Sequence, residues 1–191
     1  MVEEALFKKS FYAVWQQMLE QATRDVQQLD RRLFNDAALG QHLQRIAKKH
    51  DVQIAQFEGE MTAKRRTEQK RRQDMWGDAR TVEVTLLEVN IPFVGEAESL
   101  RIAPSTMTLL NQRATIGRNS LTIAVADDDR AESEVQDFKN TVEGNLRILR
   151  TEYERAKPQM EQTIQRAASQ RKAQIDAEDA RDKGRSFRII N

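Results

Sequence analysis

Between Asp129 and Lys183 apolar side chains recur at Val135, Phe138, Val142, Leu146, Leu149, Tyr153, Ala156, Met160, Ile164 and Ala167, separated only by threes and fours. That is the period of one helical face and close to a coiled-coil seam. A helix of this length spans roughly 80 Å at 1.5 Å per residue, whereas a compact chain of this size has a radius of gyration of about 16 Å. The stripe is therefore expected to need cover from the N-terminal helices, from a second copy or from another protein. Pro158 falls inside it and predicts a kink, because proline removes one backbone bond and presses on the carbonyl four residues back. A second wide apolar face runs through Leu6, Phe7, Phe11, Val14, Trp15, Met18, Leu19, Ala22, Val26, Leu29 and Leu33, predicting a helix from Glu3 to Leu33. Asn35-Asp36 breaks it, and Leu39, Leu43, Ile46 and Ala47 mark a shorter helix.

In the middle of the chain the period changes to two. Val82, Val84 and Leu86 alternate, then Leu87, Val89, Ile91 and Phe93 alternate in the other phase, which predicts a strand from Thr81 to Phe93 with a β-bulge. Leu100 with Ile102, Met107 to Leu110, and Ala114 with Ile116 are candidate short strands. Gly117-Arg118-Asn119-Ser120 is a turn leading into Leu121, Ile123 and Val125. The expected fold class is α+β: an N-terminal helical hairpin (1–58), a basic connector (59–80), a small antiparallel β-meander of three to five strands (81–126), a long C-terminal helix of coiled-coil character (127–183) and a strand-like tail (184–191). Such a sheet needs the helices as cover.

Composition narrows this picture. The 191 residues are 39% hydrophobic and 32% charged, with three prolines and few aromatics, which suits long solvated helices. The net charge of +1 makes no global field toward nucleic acid or membrane, so any basic patch is local. Without cysteine there are no disulfides, thiolate metal sites or cysteine nucleophiles. The N-terminus carries no basic-then-apolar leader and no apolar run reaches membrane-spanning length, so a cytoplasmic protein without membrane association is expected.

Candidate chemistry is sparse. Lys64, Arg65, Arg66, Lys70, Arg71 and Arg72 put six positive groups into nine residues, enough to track phosphates along a nucleic-acid backbone or simply to solvate a helical connector. Trp76-Gly77-Asp78 closes that segment as a turn. Asp127-Asp128-Asp129 with Glu132 and Glu134 fits the capped start of the long helix better than a metal site, since no calcium-loop spacing accompanies it. His42 and His50 are eight residues apart and share no helical face well enough to clasp a metal; both are expected on the surface or at a helix end. Lys48, Lys49 and His50 suit a helix C-terminus. Trp15 is expected in the core.

At Ile91-Pro92-Phe93-Val94-Gly95, Pro104-Ser105-Thr106 and Gly117-Arg118-Asn119-Ser120-Leu121, followed by the long charged helix, the chain resembles a group of uncharacterised bacterial proteins. The resemblance covers Val82 to Lys183 and implies a small sheet followed by a long C-terminal helix. No P-loop, nucleophile elbow, zincin helix or dinucleotide fingerprint is present, so no catalytic residue and no cofactor is assigned. The expected function is that of a non-enzymatic assembly protein. It would be a homo-oligomer or a subunit of a bacterial complex, meeting protein partners through Leu146, Leu149, Tyr153, Met160 and Ile164. The alternatives are a nucleic-acid-binding module using 64–72, and an enzyme whose site is assembled from distant carboxylates and arginines.

Overall fold

The computed structural model describes residues 3–73, 79–107 and 112–184, with backbone alone at 70–73 and 79–80. An antiparallel sheet and three α-helices, the last of them long, make an α+β fold. The chain divides into two compact units, 1–11 with 52–152 and 12–51 with 153–191.

The first eight described residues correct the expected helix from Glu3. They form β1 (Glu4–Ala5) and β2 (Lys9–Ser10), and only then does α1 (Phe11–Gln27) begin. Phe7 has φ 55, a left-handed backbone that no α-helix accommodates. Its amide donates to the Leu100 carbonyl at 2.9 Å and that of Leu6 to the Gln112 carbonyl at 2.9 Å, so this stretch is spent on the sheet unit. A 3-10 helix (Arg31–Asn35) and α2 (Leu39–Lys49) follow, the latter as the sequence predicts.

The largest correction is to residues 59–80. They are no helical connector: β3 (Gln56–Phe57) and β4 (Thr62–Gln73) pair antiparallel with β5 (Ala79–Val94). The turn predicted at 76–78 lies outside the described residues. Register runs unbroken from Thr62 opposite Asn90 to Gln73 opposite Ala79, so β5 contains no bulge. Its phase shift has another meaning. Without a bulge, Val82, Val84 and Leu86 point to one side of the sheet and Val89, Ile91 and Phe93 to the other. The irregularity lies on the partner instead. Phe57 faces Phe93 and Thr62 faces Asn90, so residues 58–61 oppose only 91–92, with Gly59 at φ 100 in the excursion.

A 3-10 turn (Ala97–Arg101) with β6 (Ile102–Ala103), then β7 (Arg113–Ile116) and β8 (Ser120–Ala126), complete the sheet unit. The candidate strand at 107–110 falls largely outside the described residues. The Gly117–Ser120 turn forms as predicted, its Gly117 amide donating to the Ser120 carbonyl at 2.8 Å. The sheet is not a simple meander, however. Its order β1-β7-β8-β5-β3, with β4 also on β5, inserts β8 between β5 and β7. Gly95, at φ 96, is required where the chain leaves β5: a Cβ there would sit 2.9 Å from the Gln53 carbonyl oxygen.

The final helix, α3 (Ala131–Lys183), starts as the sequence predicts, with the Asp128 side chain accepting from the Arg130 amide at 2.9 Å, and it continues through Pro158 as one element. Residues 185–191 of the expected tail lie outside the described residues. The α3 stripe belongs to both units. In the sheet unit Val135, Phe138, Val142, Leu146 and Leu149 are buried, as are Val89, Ile91, Phe93, Leu121, Ile123 and Val125 of the sheet. These are the apolar helix face and sheet face of that unit, and a two-layer core forms by laying one on the other. In the helical unit Tyr153, Met160, Ile164, Ala167 and Ile175 are buried with Trp15, Leu19, Ala22 and Val26 of α1, Phe34, and Leu43 and Ile46 of α2.

Candidate nucleic-acid interface

All six residues of the basic segment stand on β4. β4 pairs with β5 on one side only among the described residues. An unpaired strand edge invites other chains to add to it, and lysine and arginine are common guards against that. Alternate residues of a strand face alternate sides, so Lys64, Arg66, Lys70 and Arg72 occupy one face of the ribbon and Arg65 and Arg71 the other.

The six fall into two groups. The inner three lie where β5 also pairs with β8, and carboxylates surround them. Arg65 Nε donates to Asp127 Oδ2 at 2.7 Å. Arg66 donates to Glu88 Oε1 at 2.6 Å and also to Glu68, and these hydrogen bonds, Glu88's first, hold its guanidinium above the usual arginine range. Lys64 sits directly opposite Glu88 in register. The outer three stand where, among the described residues, β5 has no partner but β4, because β8 pairs with Leu86 to Pro92. Opposite Lys70, Arg71 and Arg72 are Val82, Thr81 and Arg80. From the Thr67–Thr85 pair outward, the two strands carry four basic residues, Lys70, Arg71, Arg72 and Arg80, against two acidic ones, Glu68 and Glu83, a net charge of +2 on a chain whose total is +1.

No protein-family model, no curated protein and no solved structure matches this chain.

The remaining candidates separate from this ribbon. Leu146, Leu149, Tyr153, Met160 and Ile164 are each buried within the single chain, at most 4% exposed. The cover expected from another molecule is thus supplied by the chain's own sheet and helices. His50 caps the end of α2, its Nε2 2.9 Å from Asp25 Oδ2, while Lys49 donates to the same oxygen at 2.8 Å. Trp15 is core as expected, edge-on to Tyr153 with centroids 5.6 Å apart, and its Nε1 donates to Gln159 at 3.0 Å. Among the described residues no group of histidines and carboxylates is arranged to hold a metal, and no helix is long and apolar enough to cross a membrane. Sequence reasoning missed the partners Glu68, Glu88 and Asp127. Only Glu68 left a signal, two residues from Arg66 and so on its face once 62–73 is read as a strand; Glu88 and Asp127 are brought in by long-range pairing.

Proposed function

We propose that this chain is a non-enzymatic, cytoplasmic nucleic-acid-binding module that meets phosphates through the outer end of the β4–β5 ribbon. One observation carries the reading: Lys70, Arg71 and Arg72 stand on a two-stranded antiparallel stretch with no carboxylate opposite them. The major groove of duplex DNA admits a two-stranded ribbon, and strand-built readers use it. The test is fluorescence anisotropy on a labelled duplex across a salt series. Replacing Lys70, Arg71 and Arg72 together by Gln should lower the salt slope by about 0.9 per lost phosphate contact. The same replacement of Lys64, Arg65 and Arg66 should change it far less, since Arg65 and Arg66 are ion-paired to the protein's own carboxylates. Wild-type protein that fails to bind duplex at low salt removes the proposal.

A second reading, an assembly protein acting as a homo-oligomer or a subunit of a bacterial complex, has in its favour the outer edge of β4, which pairs with no other strand among the described residues. Two copies meeting edge to edge would oppose like charges, so this reading calls for an acidic protein strand. The coiled-coil spacing of the α3 stripe supports it less, because the chain buries those residues itself. It takes α1 and α2 as a helical hairpin tied by Asp25 to Lys49 and His50. Light scattering tests the oligomer: a single-chain molar mass at every concentration leaves only the hetero-partner.

A further inference from the structure

Gly144 stands in the sheet-unit half of α3, where a helix former is favoured, since glycine in a helix interior is worth less than alanine. Packing does not demand it. A Cβ at Gly144 would meet nothing within 4 Å, in contrast to Gly95, whose Cβ would press on a carbonyl oxygen. What lies over Gly144 is open space, a cleft of about 250 Å³ between the flank of α3 and the Ala55–Phe57 stretch.

The lining of that cleft is ordered. Gly144, Arg147 and Arg150 follow one another at helical spacing, beside the buried stripe, with Glu143 the lone carboxylate among them. Two positive groups against one negative favour an anion. Arg150 reaches across to donate to the Ala55 carbonyl at 3.2 Å, which fixes its guanidinium at one end of the cleft, while Arg147 is exposed at the rim. Ala55 and Leu146, both buried, give the wall an apolar part together with Phe57. A planar guanidinium pairs two-pronged with a carboxylate, and the missing Cβ leaves room for something flat on the helix surface. The volume lies below the range of drug-sized sites, so the occupant is small.

We propose that this cleft binds a small organic carboxylate with a flat apolar body, the carboxylate on Arg147 and Arg150 and the body over Gly144. It is independent of the ribbon and of any nucleic acid.

Benzoate is the probe, titrated into the full chain while backbone amide signals are followed by NMR. Saturable shifts are expected at Gln56, Gly144 and Arg147, with a dissociation constant on the order of millimolar for so small a ligand. Benzylamine, equal in shape and opposite in charge, should give none. Arg147→Gln should weaken benzoate about tenfold by loss of a charge-assisted pair. Gly144→Leu should abolish binding. Gly144→Ala, which the open space tolerates, should raise the thermal midpoint by about 2–4 °C and still weaken benzoate, separating the glycine's use from its role in folding. The proposal is overturned by absence of saturable benzoate shifts, by benzylamine binding equally well, or by benzoate affinity unchanged in Gly144→Ala. Inorganic phosphate matching benzoate overturns the apolar-body part.

Discussion

From Val135 to Leu149 the α3 stripe meets the sheet mainly through apolar side chains, with buried Asn145 among them, and two polar ties follow the last buried leucine. Arg150 donates to the Ala55 carbonyl, and Glu152 accepts from the Ser105 amide at 3.0 Å. From Tyr153 to Ile175 the same helix meets short helices, and polar ties recur along its length. The Tyr153 hydroxyl reaches the His50 carbonyl at 3.2 Å and Lys172 the Phe34 carbonyl at 3.4 Å; Arg31 reaches the Ile175 carbonyl at 3.3 Å and pairs with Glu178 and Asp179. The difference follows from what each cover exposes. A sheet spends its backbone groups within itself and offers a continuous apolar face. Short helices end often, and each end leaves carbonyls without intrahelical partners, which long side chains of α3 then satisfy.

The largest effects should break this comparison from the apolar side. Leu149→Ala removes a fully buried side chain and should cost about 2–5 kcal/mol, measured by urea unfolding, with the loss unchanged by added salt. Leu149→Asp should leave no folded sheet unit at all, because no partner awaits the charge. Next comes Pro158, exposed and inside α3. Pro158→Ala restores an amide that can reach the Glu154 carbonyl, and should stabilise the chain by as much as about 3 kcal/mol. A variant no more stable than wild type would mean that the helix has already relaxed around the ring.

These two halves also mark what was legible in the sequence. The α3 stripe and α2 were readable because their apolar period is unbroken over several turns. The cover was not: which surface meets a stripe is decided by long-range pairing, and nothing local distinguishes Leu146, under a sheet, from Ile164, under helices. At Leu6 and Phe7 the helical period misled, because both are buried in the sheet unit with Phe7 in a left-handed conformation. At 62–73 it was composition that misled. Lys, Arg, Gln and Glu are good helix formers, and strand assignment there rests on twelve cross-strand pairs with β5 rather than on propensity. Gly144 was visible all along as a glycine inside a long helical pattern, a position where glycine calls for a reason.

Arg31 tests the polar side of the comparison. Its side chain is 32% exposed, and Glu178 and Asp179 are more exposed still, so solvent screens both pairs. Arg31→Ala should cost about 1 kcal/mol at low salt and less in high salt, whereas Leu149→Ala responds to salt not at all. A salt-independent loss would assign the contribution of Arg31 to its bond with the Ile175 carbonyl instead.

The smallest predicted effect is a pH dependence confined to the helical unit's own ties. Burial alone raises the Asp25 carboxyl, but the hydrogen bonds from Lys49 and His50 outweigh it, and the folded carboxyl titrates below its ordinary value. The folded protein therefore takes up that proton less readily than the unfolded chain. The stabilisation is complete above the unfolded value, about 3.9, and is lost as pH falls from there through the folded value. Asp25→Asn should accordingly lower stability at neutral pH and flatten the acid limb of the stability curve. Lys49→Met removes one of the two hydrogen bonds and leaves the burial. NMR titration of the Asp25 carboxyl should then show a higher midpoint than wild type, with the acid loss starting at correspondingly higher pH. An unchanged midpoint would show that His50 alone holds the carboxylate, and the tie between α1 and the end of α2 would then rest on the imidazole rather than on the lysine.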